Sequence, residues 1–219
     1  MDAAQLKQLV AQAALAHVPA GAILGVGTGS TVDCFIDALA ESGIALAGTV
    51  SSSERSTARL RARGYAVLEA SAVERLPLYI DGADEIDYDG YMIKGGGAAL
   101  TREKIVADLA DEFLCIADES KLVTTLGRYP LPVEIIPMAA AQLSRRFALL
   151  GGRAVLRQGV VTDNGCQILD VHDLAISGPL AFETEVNQWP GVVTVGVFAR
   201  HKAKRCLLGG ADGVRSLNF

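Results

Sequence analysis

From residue 22 to residue 116 the chain repeats one pattern: a short apolar run, a turn rich in glycine or acid, then a stretch with helical spacing. The apolar runs fall at 22–26, 46–50, 65–68, 78–80, 91–93 and 113–116, each of strand length. Between them, Val32, Phe35, Ile36 and Leu39 recur at helical spacing, and further helices are predicted from Ser53 to Arg63 and over 98–110. An opening helix over 2–17 carries Leu6, Leu9, Val10, Ala13 and Ala14 on one face and stops at Pro19 and Gly21. Strands alternating with helices predict a Rossmann-like α/β fold, a mostly parallel sheet with helices on both faces. With 23 glycines and only 5% aromatic residues, the core is built from small side chains, which suit tight helix-on-sheet layers better than a sandwich.

Near Pro130 and Pro132 the texture changes. The order becomes strand (133–136), helix (139–150), strand (153–156), strand (167–171), helix (179–188), strand (192–198). Asp163, Asn164 and Gly165 make a turn between the two middle strands. This is the split βαβ order of a ferredoxin-like α+β unit. We therefore expect an α/β domain over 1–129 and 200–219, with a small domain over 130–199. In the tail, Cys206, Leu207 and Leu208 are expected to return a strand to the first sheet.

The formal charge is −5 and no lysine or arginine stripe is present, which argues against a nucleic-acid partner. No apolar stretch reaches the roughly 20 residues of a membrane helix. The start, MDAAQLKQLV, lacks a basic, apolar signal segment, so we expect a cytoplasmic protein with no membrane partner. Cys34, Cys115, Cys166 and Cys206 are widely spaced, without a CxxC pair, and read as reduced, mostly buried small hydrophobes. His17, His172 and His201 are equally scattered, so no metal site is expected.

Four segments carry chemistry. GVGTGST (25–31) turns from a strand into a helix whose N-terminal amides, with Thr28, Ser30 and Thr31, suit a phosphate. Ser30 with Asp33 is read as a capping pair. The segment is neither a GxGxxG fingerprint nor a P-loop, which disfavours a dinucleotide or nucleoside triphosphate. DGADEID (81–87) runs a strand into carboxylates at the edge where α/β sheets hold ligands, and Asp81 and Asp84 are placed to bond sugar hydroxyls and move protons. Its continuation, Asp87 to Gly90, does not match a calcium loop. KGGGAALTREK (94–104) sets three glycines beside Lys94 before a helix on which Glu103 is flanked by Ala99, Leu100, Val106 and Ala107. Such a wall raises a carboxyl pKa toward the value of about 6–7 that a general base wants. Arg102 passes the same geometric test, but only the glutamate accepts a proton. ADESK (117–121) brings Lys121 to the same edge. Each segment taken alone also fits a plain role: a tight turn, a solvated acidic loop, a surface ion pair, or, for Lys121 and Lys7, a solvated lysine.

In this order and spacing, GVGTGST, DGADEID, KGGGAALTREK and ADESK resemble the type A ribose-5-phosphate isomerase family, as do VSSS (50–53) and LPVEIIPMA (131–139). The resemblance implies a cofactor-free, metal-free aldose–ketose isomerase of the pentose phosphate pathway, acting on a small phosphosugar as a homodimer. It implies Asp81, Asp84, Lys94 and Glu103 as the catalytic set. Thr28, Gly29, Ser30 and Thr31 would hold the phosphate, assisted by Lys121 and Lys7, while Gly82, Ala83, Gly95, Gly96 and Gly97 would line the sugar. Glu103 would move the C2 proton to C1, with Lys94 and the glycine amides stabilising the oxyanion. Two rivals stand beside this reading. One is a CoA transferase-like enzyme using Glu103 as nucleophile. The other is a non-catalytic sugar-phosphate sensor domain, for which no basic DNA-binding segment is spare.

Overall fold

The computed structural model describes residues 1–219 throughout. The chain opens with α1 (Ala3–Ala14), a 3-10 turn (Leu15–His17), β1 (Ile23–Val26), α2 (Ser30–Ser42), β2 (Gly48–Ser51) and α3 (Glu54–Ala62). It continues with β3 (Leu78–Asp81), β4 (Glu85–Ile86), β5 (Met92–Ile93), α4 (Leu100–Leu109) and β6 (Phe113–Asp118). After β7 (Leu131–Ile135) come α5 (Ala140–Leu149), β8 (Arg153–Leu156), β9 (Gln167–His172) and α6 (Pro179–Val186). The last strands are β10 (Val192–Val195), β11 (Val197–Phe198), β12 (Arg205–Gly210) and β13 (Gly213–Asn218).

These elements gather into two compact units. The first holds Met1–Ala83, Arg102–Lys121 and Ala203–Phe219, and the second Asp84–Thr101 and Leu122–Lys202. Residues 84–101, 122–129 and 200–202, expected with the α/β domain, thus group with the smaller unit. The reason is strand pairing: β5 pairs antiparallel with β11, and Leu126 bridges Ile176.

In the first unit a six-stranded sheet runs β13-β12-β6-β3-β1-β2. All neighbours are parallel except β13, which turns back antiparallel on β12. Every residue of β6 is buried, as befits a strand covered on both faces. Val10, Ala11 and Ala14 of α1 and Phe35, Ile36 and Leu39 of α2 pack with Leu24, Ile80, Leu114 and Ile116 of the sheet. Each of the larger side chains contributes about 1.5–3 kcal/mol when fully buried. Cys115 and Cys206 face each other in register on β6 and β12, both buried, and the Cys115 hydrogen bond together with burial pushes the Cys206 thiol up. They behave as the small hydrophobes expected. Chain order along the sheet reverses between β1 and β3, the kind of switch point at whose carboxyl edge open α/β sheets bind ligands.

In the second unit a four-stranded antiparallel sheet runs β10-β7-β9-β8. Connected as strand, helix, strand, strand, helix, strand, this is the ferredoxin-like arrangement. Leu143 and Phe147 of α5 and Val186 of α6 pack with Leu131, Val133, Leu169 and Val171, and the Phe147 and Trp189 ring centroids lie 5.0 Å apart. A separate three-stranded sheet runs β11-β5-β4.

Several local expectations are corrected. The run 65–68 forms no strand, only a bridge from Val67 to Thr49 at the sheet edge, because so short a run after Gly64 makes a single crossing. Ser30 is not a cap. Gly29 caps α2 with φ +108°, a backbone conformation open to glycine. Asp33 accepts from Arg55 instead. The predicted strand 192–198 is broken at Gly196, and its halves enter different sheets. Gly196 donates to the Pro132 carbonyl at 2.7 Å and accepts from the Lys94 N–H at 2.9 Å, so it ties β7 to the residue following β5. The tail does return a strand, β12 beside β6, and adds β13, which was not foreseen.

Candidate active site

In the first unit most of the residues singled out from the sequence lie at the carboxyl ends of β1, β2, β3 and β6. Gly27 follows β1 and donates its N–H to the Ile80 carbonyl of β3 at 2.9 Å. A Cβ on Gly27 would fall 1.9 Å from Asp81 Cγ, so the loop reaches Asp81 only because the side chain is absent. Asp81, the last residue of β3, is fully buried. Its Oδ1 accepts from the N–H of Thr28 at 3.0 Å and of Gly82 at 2.7 Å, and its Oδ2 accepts from the Tyr79 hydroxyl at 2.5 Å. Tyr79 is two residues earlier on the same strand face. Burial, then the charges of Asp81 and Glu103, push the Tyr79 phenol well above its usual range. Glu103 is 2% exposed on the first turns of α4. The three groups thus share one electrostatic neighbourhood.

The glycine loop is braced from α3. Ser53, next after Ser51 and Ser52 at the end of β2, caps α3 through Ser56 N–H at 3.1 Å. Thr28 Oγ1 lies 2.7 Å from Ser53 Oγ and accepts from the Ser56 hydroxyl at 3.1 Å. Lys7 Nζ on α1 donates to Ser30 Oγ at 2.8 Å, bringing a positive charge to the helix start already favourable to an anion. Thr28, Gly29 and Thr31 are half-buried and Ser30 is exposed, leaving this N-terminus open to solvent. Lys121 is half-buried at the end of the 3-10 turn (Glu119–Lys121) that follows β6. Gly82 and Ala83 are half-buried beyond Asp81.

The second unit holds the remaining residues. Asp84 Oδ2 accepts from the Gly96 N–H at 2.7 Å, and the Asp84 N–H donates to the Ile93 carbonyl at 2.9 Å. A Cβ on Gly96 would meet Asp84 Oδ1 at 2.5 Å and the Tyr129 hydroxyl at 2.7 Å. Burial, then the Asp84 charge, raises the Tyr129 pKa. Lys94 is 3% exposed, with Nζ 5.5 Å from the centre of the Phe198 ring. The Gly96 amide, expected to point at an oxyanion, is occupied by Asp84 and serves to orient that carboxylate. Thr101, in the first turn of α4, donates to the fully buried Glu134, which also accepts from Thr162 at 2.7 Å and Asn164 at 3.0 Å.

The acidic segment divides by role. Glu85 accepts the N–H of Gly127 at 2.8 Å and of Tyr129 at 2.5 Å, and Asp87 accepts from Asp89 and Tyr91, both at 2.9 Å. Those two carboxylates are consumed in holding loops. Tyr79, Tyr129 and Arg157 were missed from sequence, whereas Ser53 was read there as the start of α3, which it caps. Tyr79 alone had a signal there, its two-residue spacing from Asp81 within a strand.

A family model described as ribose 5-phosphate isomerase A (phosphoriboisomerase A) matches residues 48–213. The chain is 68% identical over 219 residues, covering 100% of both proteins, to a ribose-5-phosphate isomerase A of Methylibium petroleiphilum. It superposes with a TM-score of 0.97 on the ribose 5 phosphate isomerase A of Neisseria gonorrhoeae, at 43% identity over 99% of this chain and 97% of that one. A D-ribose-5-phosphate isomerase solved in complex with phospho-erythronic acid superposes at 0.96, with 34% identity and 100% of each chain covered.

Proposed function

This chain belongs to the ribose 5-phosphate isomerase A family, and from that premise we propose that Glu103 is the base that carries a proton between C2 and C1 through an enediolate. The protein is an aldose–ketose isomerase interconverting D-ribose 5-phosphate and D-ribulose 5-phosphate, in the non-oxidative branch of the pentose phosphate pathway. Neither rival reading, CoA transferase or sensor domain, has support among the relatives.

The chemistry is constrained. A proton leaves C2 and one returns to C1, while a second proton passes from O2 to O1 as the carbonyl moves from C1 to C2. The hard part is removing the carbon-bound proton, which needs a poised base and a stabilised oxygen anion. In our reading Glu103 takes the C2 proton, and Lys94 faces the developing oxygen charge. Asp81 and Asp84, three residues apart along the chain, open the furanose ring and move protons between O1 and O2. The amides and hydroxyls of Thr28, Gly29, Ser30 and Thr31 hold the phosphate, with Lys7 and Lys121 adding positive charge. Gly82, Ala83, Gly95 and Gly97 line the sugar, and Gly96 serves through Asp84. One solved relative was captured with phospho-erythronic acid. Its planar carboxylate matches the shape and charge of an enediolate, which supports this course.

One observation carries the assignment of the base: Glu103, at 2% exposure, shares its surroundings with Tyr79 and Asp81 beside the glycine loop. Glu103→Gln keeps size and hydrogen-bonding reach but accepts no proton. A coupled assay of ribose 5-phosphate conversion should find turnover reduced by at least about 10², with substrate affinity nearly intact. Undiminished turnover would remove Glu103 from the centre of the mechanism.

We further propose a cytoplasmic homodimer. Four free cysteines suit a reducing compartment, and no helix is long and apolar enough to cross a membrane. Sedimentation equilibrium should give twice the chain mass of 22.9 kDa.

A further inference from the structure

We propose that Arg157 is a positioning residue for Asp84, acting through the peptide plane that joins Gly95 to Gly96. Arg157 follows β8 and is paired in two places with Asp170 of β9, Nε to Oδ2 at 2.8 Å and Nη2 to Oδ1 at 2.5 Å. Its side chain is 17% exposed and that of Asp170 21%. The third nitrogen does something the ion pair does not require. Nη1 donates to the Gly95 carbonyl at 3.1 Å and to the Gly96 carbonyl at 3.0 Å.

The Gly95 carbonyl and the Gly96 N–H belong to one planar peptide unit, and no cis peptide occurs in the chain. In a trans unit the C=O and N–H point in opposite directions and turn together. On one side this unit accepts from Arg157; on the other it donates to Asp84 Oδ2 at 2.7 Å. Neither glycine has a side chain to fix the plane, and glycine has the widest backbone freedom. Arg157 supplies the missing constraint. The guanidinium fork satisfies Asp170 and two carbonyls at once, which a lysine ammonium cannot do in that geometry. The ion pair with Asp170 holds the fork in place, and the charge of Arg157 is felt at both Asp84 and Tyr129. The β8 to β9 hairpin of the small α+β unit is thereby a mount for a carboxylate some 70 residues earlier in the chain.

The inference rests on the reading that Asp84 helps open and close the sugar ring, and the chemistry of the two substrates separates that step from proton transfer at carbon. Ribose 5-phosphate closes a furanose through O4. Ribulose 5-phosphate has its carbonyl at C2 and its O5 esterified, so no five-membered ring is open to it. Exchange of its C1 hydrogen with solvent needs an enediolate but no ring chemistry; formation of furanose aldose needs both.

The experiment incubates the full-length enzyme with ribulose 5-phosphate in deuterium oxide. It measures deuterium entering C1 of the remaining ketose against aldose formed. In Arg157→Lys, aldose formation should fall about 10²-fold, the scale of a 1 Å misplacement. Ketose labelling should fall less, so the ratio of labelling to aldose rises on the order of tenfold. Asp170→Asn, which keeps Arg157 but frees its fork, should move the ratio in the same direction and stands in if the first variant does not fold. Arg153→Ala, which breaks an exposed pair with Asp173 at the start of the same strand, should leave both rates unchanged. Proportional loss of both rates in Arg157→Lys and Asp170→Asn, or no loss, overturns the proposal, as does an equal change in Arg153→Ala. Asp84→Asn separates the two levels. A raised ratio there without one in the Arg157 and Asp170 variants sinks only the role of Arg157. An unchanged ratio in Asp84→Asn sinks the ring-opening role of Asp84 and this inference with it.

Discussion

The two units each press a glycine against an aspartate, and they do so differently. At Gly27 and Asp81 the missing Cβ would land among the Cβ, Cγ and Oδ1 atoms of the aspartate, at 1.9–2.5 Å. Asp81 is then gripped by two backbone amides and a phenol, fully buried. At Gly96 and Asp84 the intruding Cβ would meet only side-chain ends, a carboxylate oxygen and the Tyr129 hydroxyl, and Asp84 stays partly exposed. The first arrangement makes a rigid acceptor anchored to a parallel sheet. The second makes an adjustable one, set by a peptide plane that Arg157 holds. A carboxylate that must exchange protons with a changing ligand is better served by the second.

The contrast is open to attack, most forcefully at Gly27. Gly27→Ala has nowhere to put its methyl, because Asp81 Cβ is fixed to β3. Isomerase activity should fall by more than about 10², and overpacking of about 1–3 kcal/mol should lower the melting temperature by several degrees. Gly96→Ala should be milder: roughly tenfold lower turnover through a displaced Asp84, with a melting temperature close to that of the parent. If calorimetry and kinetics return the same losses for both alanines, the two aspartates are not held differently.

The smallest effect on turnover is expected at Tyr79. Tyr79→Phe removes one donor from Asp81 and should cut turnover only a few-fold. Leaving a buried acceptor short of a donor should cost about 1–3 kcal/mol below pH 10. At higher pH that advantage of the wild type shrinks. The native phenol keeps its proton above 10.0, where the unfolded chain loses it, so the unfolded state binds fewer protons and wild-type stability declines as pH rises. Chemical denaturation between pH 9 and 11 should show that decline in the wild type and a shallower one in the phenylalanine variant. Parallel slopes would mean the phenol titrates normally in the fold.

The sequence made the layer architecture readable because strand length, helical spacing and turn chemistry are local. The runs at 22–26 and 113–116 and the Asp163, Asn164, Gly165 turn needed no distant information. The residue types of Asp81, Asp84, Lys94 and Glu103 stood out for the same reason, through glycine and carboxylate density around them. What stayed hidden depends on long-range contact. Arg157 acts on a carbonyl 62 residues away, and Gly27 matters only because Asp81 arrives from another strand. The roles of Glu85 and Asp87 in the acidic segment were invisible because their partners, the amides of Gly127, Tyr129 and Tyr91, carry no side-chain signature. The tail hairpin escaped for a different reason: β13 is an edge strand with polar positions, so no apolar run announces it.

The break at Gly196 gives the smaller unit a task beyond packing. Any side chain there would collide with the Lys94 carbonyl at 2.4 Å and the Pro132 carbonyl at 2.6 Å. Two backbones cross at that point with no room between them, like girders bolted through a single hole. The lysine's seat is therefore inherited from the antiparallel sheet rather than from the loop that bears it. A shortened chain lacking this region would lose the footing of the Lys94 ammonium.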